Sequence, residues 1–209
     1  MTDKAQIFDG IDQSLINSGK PSDYINSLLE SSRLEVYPFT MLGGLVRIEQ
    51  SPLHHPEGNV WNHTMMVVDH AAERRHLSSD PRVLMWAALL HDLGKVPATK
   101  IRKGKITAYD HDKYGEGLAV RFLKEFTDDE EWIGKVAALV RWHMQILYVV
   151  KNLPFADIKS MLAQVSIEEI ALLSLCDRLG RGGMDEAGVF KEEENVRIFV
   201  KKCEAAQRL

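Results

Sequence analysis

The stretch "DPRVLMWAALLHDLGK", residues 80 to 95, decides how the fold is read. Asp80 followed by Pro81 reads as an N-cap with proline at the first helical position, where a missing N–H costs nothing. Trp86 to Leu90 are all apolar, so the end of this helix is expected at the core. There it places His91 and Asp92 side by side and reaches Gly94, which reads as a C-terminal glycine. A buried carboxylate without a partner is costly, and a cation, a metal or a hydrogen-bond network removes the cost. The pair therefore either caps something in the core or holds something that is not protein.

Outward from that helix the pattern stays helical. "PSDYINSLLESSR" (21–33) starts a helix with Ser22 or Asp23 as N-cap, and Asn62 caps one through "HTMMVVDHAAERRHL". "GKITAYDH" (104–111), after "KIRKG", reads as a small hairpin arm. A helix fits "DKYGEGLAVRFLKEF", with Leu118, Phe122 and Phe126 on one face. Thr127 with Glu130, and Ser166 with Glu169, form capping boxes for the next two helices, and a last helix covers 193–209. "YPFTMLGGLVRIEQSPLHHPEG" (37–58) reads as connecting structure. The class is all-α, with an N-terminal helical extension (1–36), a main domain (37–190) and a C-terminal helix (191–209). The last helix packs on the domain or on another subunit of a homo-oligomer through Val196, Phe199 and Val200.

Bulk properties narrow the function. The chain has 209 residues with 45% hydrophobic content, enough for one core, and a net charge of −4 that gives no support for broad nucleic-acid or membrane binding. "KIRKGK" (100–105) is the one basic run, read as an exposed hairpin tip before a guide for an anionic substrate. Cys176 and Cys203 are far apart and in no CxxC pattern, which excludes a disulfide framework and a zinc ribbon. "MTDKAQIFDGID" (1–12) has no basic region followed by an apolar run and does not read as a secretory signal, and no segment approaches the roughly 20 apolar residues of a membrane span, so the expected compartment is the cytoplasm.

The chemistry lies in a recurrence. Helices expected over 81–93, 129–143 and 167–180 end their apolar runs in His91-Asp92, His143 and Asp177, while His63 and His111 each open a helix. Each has a local explanation: His111 as a cap, His143 as a histidine favoured by the helix dipole. Together they are a set of imidazoles and carboxylates without thiolate, suited to Mn, Fe, Ni, Co, Mg or Zn. One Asp can bridge two ions, and a metal pair suits hydrolysis at phosphorus by an activated water. Lys95, three residues after Asp92, offers a point charge to a phosphate; Arg181 is either a phosphate contact or a surface residue. Glu57 either contacts the site or shapes the "PEG" turn, and His55 is a candidate for the pocket wall. His70, two turns (about 11 Å) beyond His63, is too far to share an ion, and His76 reads as exposed.

The pattern H…HD…D, as His63, His91-Asp92 and Asp177, resembles the HD superfamily of metal-dependent phosphohydrolases, whose fold is an all-α bundle. "HPEGNVWNHT" (55–64), "ALLHDLGKV" (88–96), "LVRWHM" (139–144) and "LLSLCDRLGR" (172–181) are similar to the HD domain attached to bacterial tRNA CCA-adding nucleotidyltransferases. The resemblance covers roughly 40–185. It implies that His63, His91, Asp92 and Asp177 hold one divalent metal, and that His111 and His143 hold a second with Asp92 between. It implies hydrolysis of a nucleotide or other small phosphate ester, with Asp92 and Lys95 carrying catalysis and Lys95, Arg181 and Glu57 meeting substrate. Asn59 stands where the attached domains often carry Asp. "GGLVR" (43–47) looks like the nucleotidyltransferase signature but lacks the Asp that should follow, so a free-standing hydrolase is expected and a tRNA partner is not. A di-iron oxygenase with the same ligands, or a non-catalytic nucleotide-binding module, are the competing readings.

Overall fold

A computed structural model describes residues 3–208. Their helices are α1 (Asp3–Asn17), α2 (Pro21–Glu30), α3 (Thr40–Gly43), α4 (Val60–Arg74), α5 (Pro81–Leu90) and α6 (Lys95–Ala98) in the first half. A hairpin of β1 (Lys100–Arg102) and β2 (Lys105–Thr107) follows, paired antiparallel with Ile101 opposite Ile106. The second half holds α7 (His111–Leu123), α8 (Glu130–Trp142), α9 (Gln145–Val150), α10 (Ile158–Leu162), α11 (Ile167–Leu179) and α12 (Glu186–Gln207). The chain is all-α apart from the hairpin arm. Among the described residues no helix is long and apolar enough to cross a membrane.

α5 is the axis of the fold. Every residue from Val83 to Leu90 is buried, as its unbroken apolar run requires, and α1, α4, α8 and α11 pack around it. Asp80 accepts from the Val83 amide and Pro81 occupies the first turn, as expected. Trp86 is fully buried, stacked on Phe8 at 4.8 Å between ring centroids and set edge-on to Trp132. Its indole N–H donates to Asp12 at 2.7 Å, so α1 contributes both apolar and polar partners to the central helix. Ile7, Phe8, Ile11 and Leu15 of α1 and Ile25 and Leu28 of α2 share one core with α5.

Several helix starts differ from expectation. α4 is capped by Asn59, whose Oδ1 accepts from the Asn62 amide while its Nδ2 donates to the Val46 carbonyl; the side chain of Asn62 turns back to the Glu57 carbonyl. An aspartate at 59 lacks the N–H that makes the Val46 bond. Ser22 is not a cap: α2 begins at Pro21, and both the amide and the hydroxyl of Ser22 donate to Asp69 on α4. α8 is capped by Asp129 rather than Thr127, because Thr127 Oγ1 is already taken by the Asp129 amide. Ser166 caps α11 as expected, but the Glu169 carboxylate reaches across to Ser78 and Ser79. α12 begins seven residues earlier than its apolar pattern suggests, capped by Asp185, and its expected end at Leu209 lies outside the described residues. Its Phe199 is fully buried in the chain's own core.

Gly94 corrects a further expectation. Its φ is −66°, so it is no left-handed C-terminal glycine. It is needed because α7 passes against it: a Cβ there would stand 1.9 Å from the His111 carbonyl oxygen and 2.5 Å from the Gly115 amide nitrogen. "GGLVR" forms the end of α3 and a 3₁₀ turn over Gly44–Arg47, packed against α4.

Candidate metal centre

The architecture brings polar ends of five helices to one place. α5 runs through the core and delivers His91 at its C-cap, with Asp92 next to it. His63 lies in the first turn of α4 and His111 is the first residue of α7, entered through Asp110 at φ 58°, a left-handed conformation that aspartate tolerates better than most residues. His143 is the C-cap of α8 and Asp177 falls in the last turn of α11. All six side chains are buried: His63 and His91 fully, and Asp177, the most open, at 7% exposure.

Asp92 is the centre of the cluster. Its Oδ2 lies 3.2 Å from His91 Nε2, 3.8 Å from His63 Nε2 and 2.8 Å from the Lys95 ammonium. Its Oδ1 lies 3.5 Å from His111 Nε2 and 3.9 Å from His143 Nε2. Asp177 Oδ1 completes the first side, 3.0 Å from His63 Nε2 and 4.0 Å from His91 Nε2. The two oxygens of one carboxylate thus face two sets of nitrogens, and both sets, His63–His91–Asp92 and Asp92–His111–His143, have the spacing of metal ligands.

The hydrogen bonds assign the rings. His91 Nδ1 donates to the Ala88 carbonyl at 2.8 Å, His111 Nδ1 to Ala108 at 2.7 Å and His143 Nδ1 to Val140 at 2.7 Å. Each acceptor lies three residues earlier in the same local turn. A neutral imidazole that donates from Nδ1 carries a bare lone pair on Nε2. His111 Nε2 and His143 Nε2 are nevertheless 3.1 Å apart, lone pair to lone pair, beside Asp92 Oδ1. His91 Nε2 and Asp92 Oδ1 are buried with no hydrogen-bond partner at all. Buried acceptors facing one another without a donor are unfavourable unless a proton or cation stands between them. The donor set therefore fits divalent metal.

Electrostatics agree. Burial, reinforced by His111 and His91, pushes His143 down to about 3, and burial also lowers His111, so both rings stay neutral near pH 7. Against the cost of burial, His91 and the Lys95 ammonium hold the Asp92 carboxyl well below the usual carboxylate range, and His63 does the same for Asp177. His63 goes the other way. Burial works against its charge, but hydrogen bonds to Asp177 and Glu57 outweigh it and raise it to about 9.

The cluster opens into a cavity of about 1060 Å³, into which Asp92, Lys95, His111, His143, Asp177 and Arg181 face. Lys95 bridges Asp92 and Gln50, at 2.8 and 2.7 Å. Glu57 does not line this space. It sits behind His63, with Oε1 2.7 Å from His55 Nδ1 and 3.1 Å from His63 Nδ1, and Oε2 accepting from the Gly182 amide. His55 does reach the cavity wall. His70 pairs with Glu73 away from the cluster, and His76 lies in a turn outside the core. Cys176 and Cys203 are buried and free.

Sequence reasoning missed three contributors. Gln50 came from a stretch read as a connection, and its only signal was a polar residue that ends up 6% exposed. Arg178 and Lys191 also line the cavity, one on α11 and one on α12. Neither belongs to a ligand motif, and the second could be found only by knowing that α12 folds back over α11.

Comparison with known proteins follows the same geometry. The family model for the HD domain matches residues 60–181, a span that contains His63, His91, Asp92, His111, His143 and Asp177. The chain belongs to the HD-domain family. Through that domain it is a member of a superfamily of metal-dependent phosphohydrolases. It is also similar to multifunctional CCA proteins. That of Halorhodospira halophila is 29% identical over 167 residues, 76% of this chain and 38% of that protein. That of Azoarcus sp. is 33% identical over 155 residues (68% and 34%) and that of Aromatoleum aromaticum 49% over 51 residues (24% and 12%). The chain thus spans well under half the length of the CCA proteins it matches.

Proposed function

We propose that this HD-domain protein is a metal-dependent phosphohydrolase acting on a nucleotide or another small phosphate ester, as a phosphomonoesterase or a 2′,3′-cyclic phosphodiesterase. The observation that carries the reading is the set of buried, donor-free acceptors around Asp92 at the floor of the cavity. His63, His91, Asp92 and Asp177 would hold one divalent ion, and His111 and His143 a second that shares Asp92. Metal held there supplies Lewis acidity for phosphoryl oxygens and lowers the pKa of water.

The chain's own groups do the rest. Asp92 keeps its negative charge while buried, and Lys95, fixed between Asp92 and Gln50, presents an ammonium to a phosphoryl oxygen entering the cavity. Arg181 adds a guanidinium on the wall. Glu57 orients His63 from behind and leaves its Nε2 toward Asp177 and Asp92.

The test is hydrolysis of a panel of nucleoside monophosphates, sugar phosphates and 2′,3′-cyclic nucleotides with Mn, Mg, Ni, Co, Fe or Zn, read as phosphate freed from the monoesters and as nucleoside monophosphate formed from the cyclic nucleotides. Turnover of at least one substrate is expected with at least one metal. Asp92→Ala should lose the metal, read by elemental analysis, and at least about a hundredfold in rate, the upper scale for loss of even an outer partner of a ligand. Activity surviving in Asp92→Ala would overturn the site. Oxygen uptake by an iron-loaded protein without phosphate release would identify a di-iron oxygenase, and a protein that takes up no metal would be a binding module.

A further inference from the structure

The metal cluster occupies only the floor of the cavity. One wall is built by the end of α11 and the first turns of α12, and it carries Arg178, Arg181 and Lys191. Arg178 is only 7% exposed, which is unusual for an arginine. One of its nitrogens, Nη1, is bound by Glu192 of α12 at 3.0 Å. Its Nε, and that of Arg181, are buried with no hydrogen-bond partner. Among the described residues neither Arg181 nor Lys191 has a carboxylate within 4 Å. The wall therefore holds three cationic groups against two carboxylates, Glu192 paired to Arg178 and Asp177 of the ligand cluster, which feels the charge of Arg181.

Arginine and lysine groups that line a cavity suit a phosphoryl group, which can take two parallel N–H bonds from one arginine. Lys95 already offers a cation beside Asp92, so the wall adds cationic groups to the cavity beyond the one nearest the cluster. A cavity of about 1060 Å³ also exceeds what one phosphate needs. The same cavity is also lined by Tyr148 and Phe155, whose ring centroids are 5.6 Å apart, and by Leu147 and Leu153. These side chains suit a nucleobase.

Resting on the hydrolase reading for its choice of ligand, we propose that Arg178, Arg181 and Lys191 form a second anion subsite that selects a nucleotide carrying a phosphoryl group beyond the one at the metal cluster. That extra group has two sources, a nucleoside diphosphate or a nucleoside bisphosphate with phosphates on separate hydroxyls.

The full chain is titrated calorimetrically with AMP, ADP and adenosine 3′,5′-bisphosphate in chelator, so that binding is read without turnover, and phosphate release from each is measured separately with metal. One of the two doubly phosphorylated nucleotides should bind roughly tenfold tighter than AMP or better, and which one names the source. Arg181→Ala/Lys191→Ala should erase that advantage, and Lys191→Arg should keep it. Circular dichroism of each variant confirms that it is folded. Equal binding of all three nucleotides, no binding of any, or an advantage that persists in the folded double variant, would overturn the subsite. Preferential binding, together with no hydrolysis of these nucleotides or of any phosphate ester in the panel above, would leave the subsite standing and sink the hydrolase reading, so the two fail separately.

Discussion

Glu57 shows how a residue outside the cavity can govern the chemistry within it. Its Oε1 lies near Nδ1 of both His55 and His63, and its other oxygen is pinned by the Gly182 amide. Glu57→Gln preserves the shape and removes the negative charge from behind His63. Metal affinity should fall about 10- to 100-fold, the usual cost of an outer partner. At saturating metal the rate should recover to within a few-fold, because the cavity side is untouched. A metal titration of the two proteins checks this. An unchanged dissociation constant would mean that Gly180, whose carbonyl also meets His63 Nδ1 at 3.1 Å, orients the ring alone.

Single residues were also where the sequence was most readable. His91, Asp92, His143 and Asp177 stand at ends of apolar runs, where an ionisable group is locally anomalous whatever the tertiary fold, and His63 and His111 stand where helices open. Cap identity was less readable. Asn59 and Asn62 are equally good caps by type, and the choice is made by the Val46 carbonyl, which the chain brings near only after folding. Thr127 lost its place to Asp129 because its hydroxyl accepts from the Asp129 amide two residues on.

At the scale of elements, the junction of α5, α6 and α7 turns on Gly94. Gly94→Ala would drive a methyl group into backbone atoms of His111 and Gly115, which cannot rotate away as a side chain can. We expect a loss of about 1 to 3 kcal/mol in stability, the range for overpacking, measured by urea unfolding. Since the displaced element carries His111, metal stoichiometry should fall further than stability alone explains. A variant with unchanged stability and full metal content would show that α7 can shift freely. The α5 helix was legible because it is apolar on all sides and capped by Asp80-Pro81. α1 was not, although Ile7, Ile11 and Leu15 have helical spacing, because polar residues intervene and its apolar stripe is narrow. The early start of α12 was hidden too: Glu186 to Asn195 offer few apolar residues, and what holds them is the ion pair from Arg178 to Glu192.

For the whole molecule, the buried histidines set how stability depends on pH in the metal-free chain. His143 sits at about 3 when folded against about 6.5 when unfolded, so the unfolded state takes up the proton first. That contribution is complete above pH 6.5 and is lost as pH falls, and His111, also lowered, acts in the same direction. His63, raised to about 9, is opposite: its contribution is complete below pH 6.5 and is lost as pH rises toward 9. The melting temperature in chelator should therefore peak near pH 6.5 and fall on both sides. His143→Leu should flatten the acid limb, and a profile still falling as steeply there would assign the acid sensitivity to other groups.

Three of the imidazoles are aimed by a carbonyl three residues earlier in their own turn, whereas their meeting point is set by the packing of whole helices. Aim is thus a local property and convergence a global one. Such a centre can be altered piecemeal over descent. Under the proposed assignment, losing His111 or His143 would leave the other rings pointing as before, so a lineage could pass between one-ion and two-ion chemistry by single substitutions without rebuilding the bundle.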